Sequence, residues 1–380
     1  MKEIIISPPK ASYYEERVKK LFAIAGITVN GSKDCDIQVN DQRFYKRVLV
    51  SSSLGLGESY MDGWWDCYSL DEFFSKVLEY RLDQYTHADI SSWFAVLQSK
   101  ILNFQGLKKA YRNASFHYDL GNDLFRKMLD KRLTYTCGYW KQASTLDEAQ
   151  EAKLELTCQK LHLKPGMRIL DIGCGWGSFA KYAAEKFDVI VTGINVSKEQ
   201  LALGKVLCRD LPVELKFQDY REIEDQFDRV VSLGMFEHVG LKNYKTYFKA
   251  VNSRLKSDGI FLLHTIGSDV STKENDPWIS KYIFPNSLIP SIAQITDAAD
   301  GQFIMEDLHN FGLDYDKTLM AWSENFSKNW PSLEKKYGER FYKMWQYYLL
   351  SCAGSFRARK NQLWQIVFTK GLKQGYMAIR

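Results

Sequence analysis

No two cysteines in this 380-residue chain are spaced C-x-x-C. The seven that occur (Cys35, Cys67, Cys137, Cys158, Cys174, Cys208 and Cys352) are odd in number and scattered. That argues against a disulfide framework and against structural zinc, and no metal is expected. No run of eighteen apolar residues occurs, so no transmembrane helix is expected. Lys and Arg form no long run that would read as a nucleic-acid arm, and nucleic acid is not an expected partner. Internal repeats and low-complexity segments are lacking too. The start, Met1-Lys2-Glu3-Ile4-Ile5-Ile6-Ser7-Pro8-Pro9, is too short and interrupted for a secretory signal, so a cytoplasmic protein is expected.

What is present is a 45% hydrophobic composition, enough for a proper core, with 14% aromatic residues and a formal charge of +5. Mild basicity permits attraction to an anionic membrane surface. The length favours two domains. Residues 1–100 carry no nucleotide fingerprint and read as a small accessory domain of mixed or helical structure. Residues 101–115 read as a linker, and 116–380 as the larger domain. In the first, Leu70–Leu78 has a helical pattern that Ser69 or Asp71 is placed to cap. Past the linker, Gly121 supplies a turn before a helix that Asn122 or Asp123 is placed to cap.

From residue 145 strands alternate with helices. A helix from Thr145 to about Leu161 precedes a strand at 167–171. Val189–Ile194, Val213–Phe217, Arg229–Leu233, Gly259–Thr265 and a late Leu363–Thr369 follow as strands, with helices at Ser178–Glu185, Lys198–Cys208 and Glu339–Phe356. Such alternation implies an α/β, doubly wound, mostly parallel sheet, whose ligands sit outside the carboxyl ends of the strands. At the first of those ends stands Leu170-Asp171-Ile172-Gly173-Cys174-Gly175-Trp176-Gly177. Its G-x-G-x-G spacing fits neither the dinucleotide fingerprint nor a P-loop. It resembles the first motif of S-adenosylmethionine-dependent methyltransferases; a tight turn without a ligand is the bland alternative. The other strand ends offer Asn195 with Gln200, Asp219-Tyr220, Gly234–Gly240 and His264–Gly267. A carboxylate at Asp219 can accept from an adenine amine while Tyr220 covers its face. Taken singly, Asp219 also reads as a loop acid, His264 as a core histidine, and Glu237 as a helix-start carboxylate.

Six further segments occur in order with LDIGCGWG: Leu54–Gly63, Tyr135–Trp140, Gln218–Arg221, Gly234–Gly240, His264–Gly267 and Tyr282–Pro285. Together they resemble the cyclopropane-fatty-acyl-phospholipid synthase family over nearly the whole chain. The resemblance implies a seven-stranded methyltransferase sheet with an acyl-chain pocket. It also implies S-adenosylmethionine as methyl donor, phospholipid with cis-unsaturated acyl chains as substrate, and bound bicarbonate as base. Glu237, His264 and Tyr315, with backbone of Cys137 and Ile266, are the positions it assigns to that anion. Tyr135, Thr136, Asp171, Gly173, Gly175, Asn195, Gln200, Asp219 and Tyr220 are those it assigns to the cofactor. A homodimer in transient contact with the inner face of the membrane is expected, with His117-Tyr118 and the following helix as a lid. Two alternatives stay open: a methyltransferase of the same fold giving a methyl-branched or methylene product, and a non-catalytic lipid-binding module.

Overall fold

The computed structural model describes residues 11–84 and 121–380. The expected linker, and His117 and Tyr118, lie outside the described residues. In the first segment two three-residue strands, β1 (Ile37–Val39) and β2 (Trp65–Cys67), pair antiparallel among helices Ala11–Ile24, Arg43–Met61 and Leu70–Glu79. The second helix breaks at Ser52 (φ 45°, ψ −130°), inside Ser51-Ser52-Ser53, whose side chains favour local backbone contacts over helix. Beyond the break, Gly57 lies against the ring of Trp278: a Cβ there would sit 2.3 Å from it.

These elements share one apolar core with the C-terminal helix Glu339–Arg357. At Gly354 a Cβ would meet the Asp71 carbonyl oxygen at 2.5 Å, so that glycine lets two helices close on each other. Acids of the first segment face cations of the rest. Glu58 pairs with Lys281, Asp62 with Arg340, Asp66 with Lys343, Asp71 with Arg357 and Asp83 with Lys360. Most are partly exposed, so each adds at most about 1 kcal/mol, and the shared aromatic core outweighs them. Ser69 occupies the N-cap of Leu70–Glu79 and Gly121 that of Asn122–Met128, neither with a side-chain capping bond. The expected caps at Asn122 and Asp123 are therefore replaced by a glycine with φ 112°, a conformation that suits no side chain. Asp71 falls in the first helical turn, where its charge suits the dipole.

The larger sheet has seven strands: β3 (Arg168–Ile172), β4 (Ile190–Asn195), β5 (Val213–Phe217), β6 (Phe227–Leu233), β7 (Leu255–Ser268), β8 (Ile304–Asn310) and β9 (Asn361–Thr369). Their order is β5-β4-β3-β6-β7-β9-β8, with β9 antiparallel to both neighbours and the other pairings parallel. The central strands are covered on both faces. Ile169, Val191, Val230, Val231, Leu262 and Leu263 are fully buried, each worth about 1.5–3 kcal/mol. The order reverses between β3 and β6, and that switch point opens a crevice at their carboxyl ends. Among the described residues, no helix is long and apolar enough to cross a membrane.

Candidate active site

The crevice is built first by glycines. Gly173, Gly175 and Gly177, after β3, have φ of 83°, 56° and 83°, and Gly234, after β6, has 68°. A Cβ on Gly173 would lie 2.6 Å from Met235, and one on Gly234 2.7 Å from Thr136. The backbone thus passes close on both sides of the switch point. The resulting cleft is lined by all nine residues expected to hold the cofactor. Tyr135, Thr136, Asp171 and Gly173 form one end, and Gln218, Asp219 and Tyr220 belong to another wall. Trp176, whose Nε1 donates to Asn122 Oδ1 (2.8 Å), also lines it and ties the glycine turn to helix Asn122–Met128.

The nine do not all present free groups. Asn195 Nδ2 donates to Gln200 Oε1 (2.8 Å) and to the Gly175 carbonyl (3.3 Å), while its Oδ1 accepts from Val196 and Ser197. Asn195 thereby positions Gln200 and the turn. Asp219 caps its short helix and holds the Arg221 guanidinium at 2.6 and 2.8 Å, so only its remaining lone pairs face a ligand. Asp171 differs: it is buried, its Oδ2 has no hydrogen-bond partner, and burial pushes its carboxyl up to about 7.

The segment after Thr136 is pinned from two sides. Gln150 Nε2 donates to the Thr136 carbonyl (2.7 Å). From helix Leu313–Asn329, Thr318 Oγ1 accepts from the Gly138 N–H (3.1 Å) and from Trp140 Nε1 (2.9 Å). This seats Cys137 beside Thr318, one turn from Tyr315. The Cys137 thiol is buried and pushed well up by burial, so it offers no thiolate. The buried Tyr315 ring packs on Phe356 and Trp322, and Cys137, Tyr135 and Glu237 all act electrostatically on its hydroxyl.

Glu237 sits in a short 3-10 turn after β6, buried, with Oε1 accepting the Ile266 N–H at 2.7 Å and Oε2 unpartnered. Burial raises its carboxyl to about 7 against the opposing pull of that N–H. The Ile266 N–H is thus spent on orienting Glu237, a different task from the direct anion contact expected from sequence.

His264 is opposite Gln365 on β9. Thr157 Oγ1 donates to the Lys153 carbonyl (2.7 Å), so it must accept from Gln365 Nε2 (3.1 Å). The same amide nitrogen lies 3.4 Å from His264 Nδ1. Nδ1 is then the acceptor, and the proton of the neutral ring is assigned to Nε2, which has no partner. Burial, with Lys153 and Lys160 adding to it, holds the ring neutral. A core histidine would have both nitrogens satisfied; this one does not. One buried acceptor, Glu237 Oε2, and one buried donor, His264 Nε2, are left open, an arrangement costly unless something fills it. Neither residue lines the cleft itself, but Glu237 stands between Met235 and His238, which do, and the His264 carbonyl accepts from the cleft-lining Gly234 N–H (2.9 Å).

Two groups were not found from sequence. His238, beside Glu237, lines the cleft with Phe284 and Pro285. Lys153, from helix Leu146–Lys160, reaches its floor, and in sequence it looks like one more charge in a charged helix. Lys153 and Lys160 of that helix are both fully buried, and of the two Lys153 lines the cleft.

A family model described as mycolic acid cyclopropane synthetase matches residues 105–366. A cyclopropane-fatty-acyl-phospholipid synthase of Escherichia coli (strain K12) is 52% identical over 375 residues, 99% of this chain and 98% of that one. Among solved structures, the cyclopropane synthase MmaA2 from Mycobacterium tuberculosis matches with a TM-score of 0.65 at 30% identity. That match covers 68% of this chain and 97% of the other. The mycolic acid cyclopropane synthase CmaA1, in complex with SAH and CTAB, gives 0.65 at 33% identity over the same shares.

Proposed function

Because this chain belongs to the cyclopropane synthetase family, we propose that it adds a methylene from S-adenosylmethionine across cis double bonds of phospholipid acyl chains. The observation that carries this reading is the pair of open, buried groups, Glu237 Oε2 and His264 Nε2, joined through His238 and Gly234 to a cleft built on the glycine turn. An isolated double bond is a weak nucleophile, so the methyl must come from a strong electrophile such as a sulfonium. Methyl addition leaves a cation on the acyl chain, and loss of a proton from the new methyl closes the ring.

The donor's adenosine fits the wall formed by Gln200, Asp219 and Tyr220, and its methionine end fits Tyr135, Thr136, Asp171, Gly173 and Gly175. Bicarbonate, when bound, would supply the base that takes the proton from the new methyl. The residues fit that anion: it has an O–H for the Glu237 carboxylate and oxygens for the donors on His264 and Tyr315, with Cys137 backbone alongside. His264 donates Nε2–H, Glu237 accepts, and Ile266 holds Glu237 in place. Phe311 against His264, and Trp322 and Phe356 around Tyr315, keep water out and offer ring faces to positive charge.

The enzyme meets the inner face of the membrane transiently, through its positive charge, and works as a homodimer. Depleting dissolved carbon dioxide tests the base: turnover falls and returns on adding bicarbonate, with S-adenosylhomocysteine affinity unchanged. Turnover indifferent to bicarbonate would remove the anion from the account.

A further inference from the structure

Lys153 is a buried lysine without a carboxylate partner. Its side chain enters the cleft floor from helix Leu146–Lys160 and is fully shielded from solvent. Nζ donates one hydrogen bond, to Thr136 Oγ1 at 2.9 Å. Among the described residues no acid forms an ion pair with it. Asp130, one of the acids acting on it, already spends its oxygens on the backbone N–H groups of Thr134 (2.7 Å) and Arg132 (2.9 Å). An ammonium has three donors, so two remain for the cleft. Burying an unpaired charge is costly, and a fold that retains one has a reason to do so.

The complementary anomaly lies on the same floor. Asp171, at the end of β3, is buried with Oδ2 unpartnered, and Lys153 is the charge that acts on it. Burial pushes the lysine down to about 8 and the acid up to about 7. Both are poorly solvated, both line the cleft, and neither neutralises the other by direct contact. A ligand carrying a carboxylate and an ammonium on one carbon would satisfy both at once.

We infer that Lys153 and Asp171 form a clamp for the amino-acid end of the cofactor, Lys153 taking its α-carboxylate and Asp171 its α-ammonium. The inference rests on the methyl-donor reading and deepens it. Thr136 is the third member: its hydroxyl accepts from Lys153, and its backbone leads directly to Cys137. Seating the carboxylate on Lys153 thus steadies the segment that joins the cofactor cleft to the base site. The adenosine half plays no part in this clamp, which makes the two halves separable by ligand chemistry.

The test is calorimetric binding of three nucleosides to the full-length protein: S-adenosylhomocysteine, its decarboxylated analogue, and 5′-methylthioadenosine, which lacks the amino-acid group. Wild type binds the first at least about 30-fold tighter than the second, the range of a hydrogen-bonded charge pair. In Lys153→Met that ratio falls below about threefold, while methylthioadenosine affinity changes by less than about threefold; Lys153→Arg restores part of the ratio. A wild-type ratio near one overturns the clamp and needs no variant to fold. So does a Lys153→Met protein that keeps the full ratio, or one that loses methylthioadenosine in step, because either makes the lysine structural. Wild type that binds none of the three removes the methyl-donor reading itself.

Discussion

Glu237→Gln separates what the site does from what it costs. The substitution keeps the shape, and a glutamine oxygen can still accept the Ile266 N–H that Oε1 now holds at 2.7 Å. Burial places the carboxyl at about 7, above its ordinary 4.5. The sign follows from the direction. Above pH 4.5 the unfolded chain releases this proton and the native state does not, so stability falls as pH rises to about 7 and is level beyond. At about 1.36 kcal/mol per pH unit the full penalty is about 3 kcal/mol. Glutamine carries no such penalty. With an unfolding entropy of about 2.1 cal/mol/K per residue, Tm of the variant should exceed wild type by about 4 °C at pH 8.5 and match it at pH 4.5. Turnover on vesicles should fall by on the order of 10²-fold or more, the worth of a positioned acid–base group, with S-adenosylhomocysteine binding retained. Thermal melts across pH, calorimetry and product assay measure the three quantities. Turnover within threefold of wild type, or a Tm gain independent of pH, would refute the reasoning.

Gly173→Ala forces a Cβ into the left-handed region and to within 2.6 Å of Met235. With a strain of about 1–2 kcal/mol, S-adenosylhomocysteine affinity should drop about tenfold or more by calorimetry; a change under twofold would contradict the close-approach argument. Burial pushes the Glu58 carboxyl up, but Lys281, Arg47 and Tyr282 outweigh it and hold it at about 2. Its contribution is therefore present above pH 4.5 and lost as pH falls toward 2. Solvent screening limits it to about 1 kcal/mol, so Glu58→Gln should lower Tm by about 1–2 °C at pH 7, with the gap closing in acid. Equal gaps at pH 7 and pH 2.5 would show that the ion pairs do not supply it. Binding to anionic vesicles should weaken several-fold as salt rises from about 0.05 to about 0.5 M, where the Debye length shrinks below the reach of surface charge; salt-independent sedimentation with vesicles would remove the electrostatic attraction.

The sheet was readable because its central strands are buried on both faces and therefore appear as unbroken apolar runs such as Ile260-Phe261-Leu262-Leu263. The glycine turn was readable because three positions needing positive φ leave a spacing that other residues cannot imitate. β8 was not, since Ile304-Met305-Glu306-Asp307 is a half-exposed edge strand with acids in it. β1 and β2, at three residues each, carry too little pattern, and Ser51-Ser52-Ser53, though weak in helix, does not say at which residue the helix breaks. Within the candidate site, Glu237 and His264 were expected from resemblance. Their chemistry depends on which atoms are left without partners, and that is fixed by Gln365, Thr157 and Ile266 from distant parts of the chain. Lys153 was invisible for the same reason: a helix of alternating charges does not say which lysine faces inward. The Ile266 N–H, expected at the anion, donates to Glu237 Oε1, a contact that no local pattern announces.

The central claim meets its most direct test in the product. Purified protein is given S-adenosylmethionine and vesicles of a cis-monounsaturated phospholipid, and the recovered acyl chains are read by mass and proton spectra. The account predicts one added methylene per double bond, with vinyl protons replaced by cyclopropyl ones. The same mass gain with vinyl protons retained, or no gain from a protein that binds S-adenosylhomocysteine, would contradict it.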